Sequence, residues 1–136
     1  MNISKFTQKS VQAVQDLEKV AYEYGNQEVE QEHLLYALLT QEDSLILKLI
    51  EKMEINKDYF INTVKKALDA KVKVSGGDLR FGQYLNKSLV NAENEAKAMG
   101  DEYVSVEHLF LSLLTQPSPS MKKISVSYTH LRAHET

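Results

Sequence analysis

Apolar residues recur at helical spacing along most of the chain, interrupted by short polar stretches. Over residues 4–24, Phe6, Ala13, Val14, Leu17, Val20, Ala21 and Tyr24 fall on one stripe, with Lys9, Gln12, Gln15, Asp16, Lys19 and Glu23 largely elsewhere. This predicts a first helix, capped by Ser4 or Thr7 and stopped by Gly25, since glycine takes the left-handed conformation cheaply. Gln31 to Gln41 is apolar nearly all round through Leu34, Leu35, Tyr36, Ala37, Leu38 and Leu39, which marks a buried second helix. Ser44 caps a third helix through about Met53, with Leu45, Ile46, Leu49, Ile50 and Met53 inward. Asn56 caps a fourth through about Ala70, with Phe60, Val64, Ala67 and Leu68 on its face. The connections are short, as antiparallel helical neighbours require. From Lys71 to Leu79 the pattern breaks: Val72 and Val74 alternate with lysines, a weak strand signal, and Ser75-Gly76-Gly77-Asp78 reads as a turn. Phe81 to Met99 forms a fifth helix ended by Gly100, and Ser105 caps a sixth that ends near Thr115.

The fifth and sixth helices repeat the first two. Gly25 to Gln41 and Gly100 to Gln116 align without a gap, with identities at Gly25/Gly100, Val29/Val104, Glu32/Glu107, His33/His108, Leu34/Leu109, Leu38/Leu113, Leu39/Leu114, Thr40/Thr115 and Gln41/Gln116. Phe6 pairs with Phe81, Glu18 with Glu93 and Ala21 with Ala96 in the same register. A fixed period of this size means a supersecondary unit copied in tandem, and two copies are expected to superpose about a pseudo-twofold axis. The expected organisation is a first helical repeat over 1–70, a linker over 71–80 and a second, incomplete repeat over 81–124. Pro117 and Pro119 discourage a continuing helix, so no counterparts of the third and fourth helices are expected. Leu109, Phe110, Leu113 and Leu114 are therefore expected to lack cover. Residues 125–136, SVSYTHLRAHET, show neither stripe nor length for the missing pair and read as translated adapter sequence or a disordered tail.

Composition narrows the function. The chain has 136 residues, 43% of them hydrophobic and 26% charged, as in an ordinary globular domain, and is long enough to bury roughly two-thirds of its unfolded surface. A net charge of −3 supplies no basic field for nucleic acid. The absence of cysteine excludes a disulfide scaffold and a thiolate metal site. No run approaches the roughly 18 apolar residues of a membrane span, and MNISKFTQKS lacks a signal-peptide core. The expected location is the cytoplasm.

MNISKFTQKS, the paired EHLLYALL and EHLFLSLL, and the block DEYVSVEHLFLSLL resemble the amino-terminal repeat domain of Clp ATPases, most of all the ClpB-like AAA+ disaggregase chaperones. The resemblance covers about residues 1–123. It implies an all-α fold of two pseudo-twofold helical repeats, carried by a flexible linker on two ATPase modules of a hexameric ring. It implies engagement of unfolded or aggregated polypeptide, with a DnaK-type chaperone system as partner of the full-length protein. ATP and magnesium would belong to the ATPase modules. The residues that match the family's substrate-handling positions are Thr7, Asp101 and Glu107. An apolar groove is implied as well, although Asn91 and Glu95, near its expected place, are polar. The protease-associated relatives ClpA and ClpC, which dock adaptors on this domain, are the alternative within the family.

No stretch matches G-x-x-x-x-G-K-[ST], so the phosphate-cradling loop of an ATPase is lacking and the chain is expected to bind without catalysing. His33 and His108 are equivalent and near helix starts, but zinc needs about four ligands, and each is read as structural. His130 and His134 have i, i+4 spacing in the suspect tail and are not read as a metal site. Glu28, Glu30 and Glu32, with Asp101, Glu102 and Glu107, could be acid–base carboxylates or favourable charges on solvated turns at helix starts; the second is preferred. A small free-standing hydrolase or metal protein is the remote alternative.

Overall fold

A computed structural model describes residues 3–74 and 76–124. A short 3-10 turn, Ile3–Lys5, leads into α1, Gln8–Glu23. It is followed by β1, Glu28–Val29, and by α2, Gln31–Leu39, α3, Leu45–Lys52, and α4, Lys57–Asp69. After the segment 70–79 come β2, Arg80–Phe81, α5, Gln83–Ala98, and α6, Val106–Thr115. The fold is all-α, with one two-residue parallel strand pair among the described residues, Glu28 opposite Arg80 and Val29 opposite Phe81. The expected caps form: the side chains of Thr7, Ser44 and Asn56 accept from Ser10, Leu47 and Tyr59 N–H.

The two repeats exchange partners. An isolated parallel bridge joins Phe6 to Val104, and moving each residue to its equivalent turns that bridge into the Phe81–Val29 pair. Thr7 N–H donates to Val104 O at 3.0 Å where Gly82 N–H donates to Val29 O at 2.8 Å. The same contacts thus run from the first repeat to the second and back, as a pseudo-twofold axis requires.

α1 packs on α2, α5 on α6, and α2 lies against α6 at the centre. Leu34, Leu35, Leu38, Leu109 and Leu113 are fully buried. α4 covers α2, while α3 packs against both α2 and α6.

Three expectations are corrected here. Val72 and Val74 are exposed and form no strand; pairing falls instead on Arg80–Phe81, where β1 offers backbone partners. α6 ends at Thr115 ahead of Pro117, as expected, but the chain returns to a helix at Pro119. Residues 119–124 are helical: Pro119 occupies the first helical position, where a missing N–H costs nothing, and Ser118 Oγ accepts from Met121 N–H at 3.2 Å. Finally, α6 is not left wet. Leu109, Phe110 and Leu113 are buried and Leu114 is half-buried, because α3 of the first repeat crosses onto α6. In return, residues 119–124 lie beside α2, burying Met121 and Ile124. Residues 125–136, with His130 and His134, lie outside the described residues.

Candidate functional site: the Thr7 and Asp101–Glu107 surface

Thr7 is half-buried at the start of α1. Its Oγ1 accepts Ser10 N–H at 3.2 Å and donates to Ser10 Oγ at 3.0 Å. Ser10, wholly buried, donates in turn to Val104 O at 2.9 Å. The helix start and the Val104 segment are therefore joined by a backbone bond and a hydroxyl relay.

Asp101 and Glu107 stand three residues either side of Val104. α5 ends where Gly100, φ 75°, turns the chain and Asp101 N–H reaches Ala96 O at 2.8 Å. The Asp101 side chain is 49% exposed, and its Oδ2 accepts from His108 Nε2 at 2.9 Å. His108 Nδ1 accepts Ser105 N–H at 2.9 Å, so the ring proton sits on Nε2 and the histidine ties cap to carboxylate. Glu107 is exposed on the first turn of α6, and Glu102 and Tyr103, ahead of that helix, are exposed as well.

The first repeat repeats this geometry with other chemistry. Gly25, φ 71°, turns the chain, His33 Nδ1 accepts Glu30 N–H at 2.8 Å, and His33 Nε2 donates to Asn26 Oδ1 at 2.9 Å. Asn26 also donates to Val72 O at 3.0 Å. Ser105, His108 and Asp101 are in hydrogen-bond contact, the residue types of a hydrolytic triad. The same ring bridging a glutamate cap and an asparagine in the first repeat identifies the arrangement as a helix-start lock. In both repeats the ring therefore bridges the helix cap and the turn before it. Among the described residues no group of three His, Asp or Glu is placed to hold a metal ion.

Glu32 and Glu107 are equivalent in sequence and opposite in environment. Glu32 is fully buried, so the solvated-turn reading fails for it. Its Oε2 meets Lys71 Nζ at 3.0 Å and accepts from Ser120 Oγ at 2.5 Å, while its Oε1 has no hydrogen-bond partner. Lys71 also meets Glu30 at 2.7 Å. Burial acts to lower the Lys71 pKa, but the bonds to Glu30 and Glu32 outweigh it and hold the ammonium above its usual value. Beside this cluster a cleft of about 340 Å³ runs between α4 and residues 119–124, lined by Thr63, Ala67, Ala70 and Ile124. Next to it Gln31 donates to Ser88 Oγ at 2.7 Å and Gln116 O at 2.9 Å and accepts Ser118 N–H at 2.8 Å. These links span the two repeats and leave no local trace in sequence. Asn91 and Glu95 are half-buried on α5.

The family described as the Clp repeat (R) N-terminal domain matches residues 5–126. Chaperone protein ClpB of Nitratidesulfovibrio vulgaris is 38% identical over 126 residues, covering 89% of this chain and 15% of the relative. Chaperone protein ClpB of Clostridium tetani is 40% identical over 129 residues, covering 91% and 15%. The chain thus spans about 15% of the length of these curated relatives. In fold it is similar to the Hsp104 N-terminal domain from Candida albicans, with a TM-score of 0.81 at 20% identity, covering 92% of this chain and 82% of that one. It is also similar to the N-terminal domain of the caseinolytic protease associated chaperone ClpD from Arabidopsis thaliana, with a TM-score of 0.70 at 20% identity, covering 97% and 95%.

Proposed function

The chain belongs to the Clp amino-terminal repeat family, and from that premise we propose that it is the non-catalytic amino-terminal domain of a ClpB-like disaggregase, engaging unfolded or aggregated polypeptide through Thr7, Asp101 and Glu107. The observation that carries this reading is the frame around Val104, which holds two exposed carboxylates at fixed places beside a helix start. Asp101 has one oxygen committed to His108 and the other available, and the free amides of the α1 start lie on the same frame. Such a surface can take the backbone N–H groups of an extended chain without demanding a sequence. The curated relatives named ClpB favour this over adaptor docking of the ClpA or ClpC kind. The full-length protein would supply the ATPase modules, with ATP and magnesium, a homohexameric ring and a DnaK-type partner in the cytoplasm.

The test is a titration of the chain with a reduced, carboxymethylated globular protein, followed by backbone amide shifts. The expected result is weak binding with shifts at Thr7, Asp101, Val104 and Glu107. Shifts confined to α3 and α4, or none at high substrate concentration, would remove these residues from the site.

A further inference from the structure

We propose that Ser10 is a positioning residue for this surface, holding Thr7 and the Asp101–Glu107 turn in one fixed relation; the inference rests on the polypeptide-binding reading above. A serine inside a helix commonly returns its hydroxyl to the carbonyl one turn back, as Ser88 does to Tyr84 O at 2.9 Å. Ser10 instead donates to Val104, 94 residues along the chain, and accepts from the cap Thr7. Val104 O thereby receives two donors, Thr7 N–H and Ser10 Oγ–H.

The second repeat provides the control within the molecule. There the residue equivalent to Ser10 is Leu85, fully buried, and the helix begins at Gly82 with no side-chain cap. The backbone bond from Gly82 N–H to Val29 O still forms, at 2.8 Å. An apolar side chain is therefore enough to hold the exchange of strands between repeats, and the hydroxyl relay is not required by the fold. It is present on the side that carries Thr7, Asp101 and Glu107. Its effect there is to fix the rotamer of Thr7 and to anchor Val104, from which both carboxylates are counted.

The experiment compares wild type, Ser10→Ala and Ser10→Cys in amide hydrogen exchange, denaturant unfolding and titration with the same carboxymethylated protein. Ser10→Ala is expected to speed exchange at the Thr7 and Val104 amides about tenfold, leave the α2 amides unchanged, and weaken binding about three- to tenfold, the range for one lost hydrogen bond. Ser10→Cys, whose thiol is a weak donor, is expected to fall between. Wild-type affinity in a folded Ser10→Ala, or faster exchange spread evenly over the molecule, would overturn the proposal. If wild type itself fails to bind while Ser10→Ala still frees only those two amides, the binding reading falls and the clamp stands.

Discussion

His33 shows how one side chain can couple a helix start to the acidity of the medium. Its Nδ1 accepts a backbone N–H and its Nε2 donates to Asn26, so a doubly protonated ring would lose the Glu30 bond. Burial, reinforced by the charge of Lys71 and opposed by Glu32, pushes its pKa down to about 4 from 6.5. The groups facing it are Glu30, Glu32, Lys71 and Lys73. Because the folded pKa lies below the unfolded one, the unfolded chain takes up the proton first. The stabilisation is complete above pH 6.5 and is lost as pH falls from there toward about 4. The full linkage amounts to about 3 kcal/mol. Glutamine at this position of a capping box can accept the same N–H without titrating. His33→Gln is expected to have a lower midpoint in urea at pH 7 but a smaller loss between pH 6.5 and 4.5 than wild type. Parallel losses in the two proteins would remove His33 as the source.

At the scale of elements, residues 71–74 act as a staple. Lys71 joins the start of α2, Lys73 Nζ donates to Tyr24 O at 2.7 Å, Val74 N–H reaches Gly25 O at 2.9 Å, and Asn26 holds Val72. Removing one partner of a buried ion pair costs about 3–5 kcal/mol, because the other charge is left without compensation. Lys71→Met is therefore expected to lower stability by about that amount, and adding Glu32→Gln is expected to recover much of it, with urea midpoints as the measure. No recovery in the double variant would show that Lys71 acts through packing alone. The helices were legible in the sequence because their stripes and caps are local: Ser44, Asn56 and Ser105 each precede the helix they were read to start. Both strands were missed, since a two-residue pairing carries no period and depends on what lies beside it. The helix at 119–124 was missed because proline was read as a stop, whereas after Ser118 it sits at the first position. Of the candidate site, Thr7, Asp101 and Glu107 rest on family likeness, and their arrangement about Val104 was not read from the sequence. Ser10, Lys71 and Ser120 carried no signal, because each acts on a residue far along the chain.

For the whole molecule, the repeat in sequence is not a repeat in independence. α3 packs on α6 as well as on α2, and residues 119–124 lie beside α2. Strand-like contacts cross in both directions, and Gln31 ties α2 to α5 and to residues 116–118. A half isolated at the 70–79 segment would lose the partner face of its central helix. Each large apolar side chain left wet forgoes about 1.5–3 kcal/mol. Three or four on α2 alone would forfeit several kcal/mol, against a margin of roughly 5–15 kcal/mol for a whole domain. The full chain is expected to unfold in one step, with far-ultraviolet and tyrosine signals coincident. A peptide of residues 1–74 alone is expected to show no cooperative transition. Mixing it with a peptide of residues 76–124 is expected to restore one, since every contact that crosses the axis is non-covalent and can form between separate chains. A cooperative transition for 1–74 alone, at a midpoint near that of the full chain, would show that the first repeat closes its own core and that the crossing of α3 is dispensable.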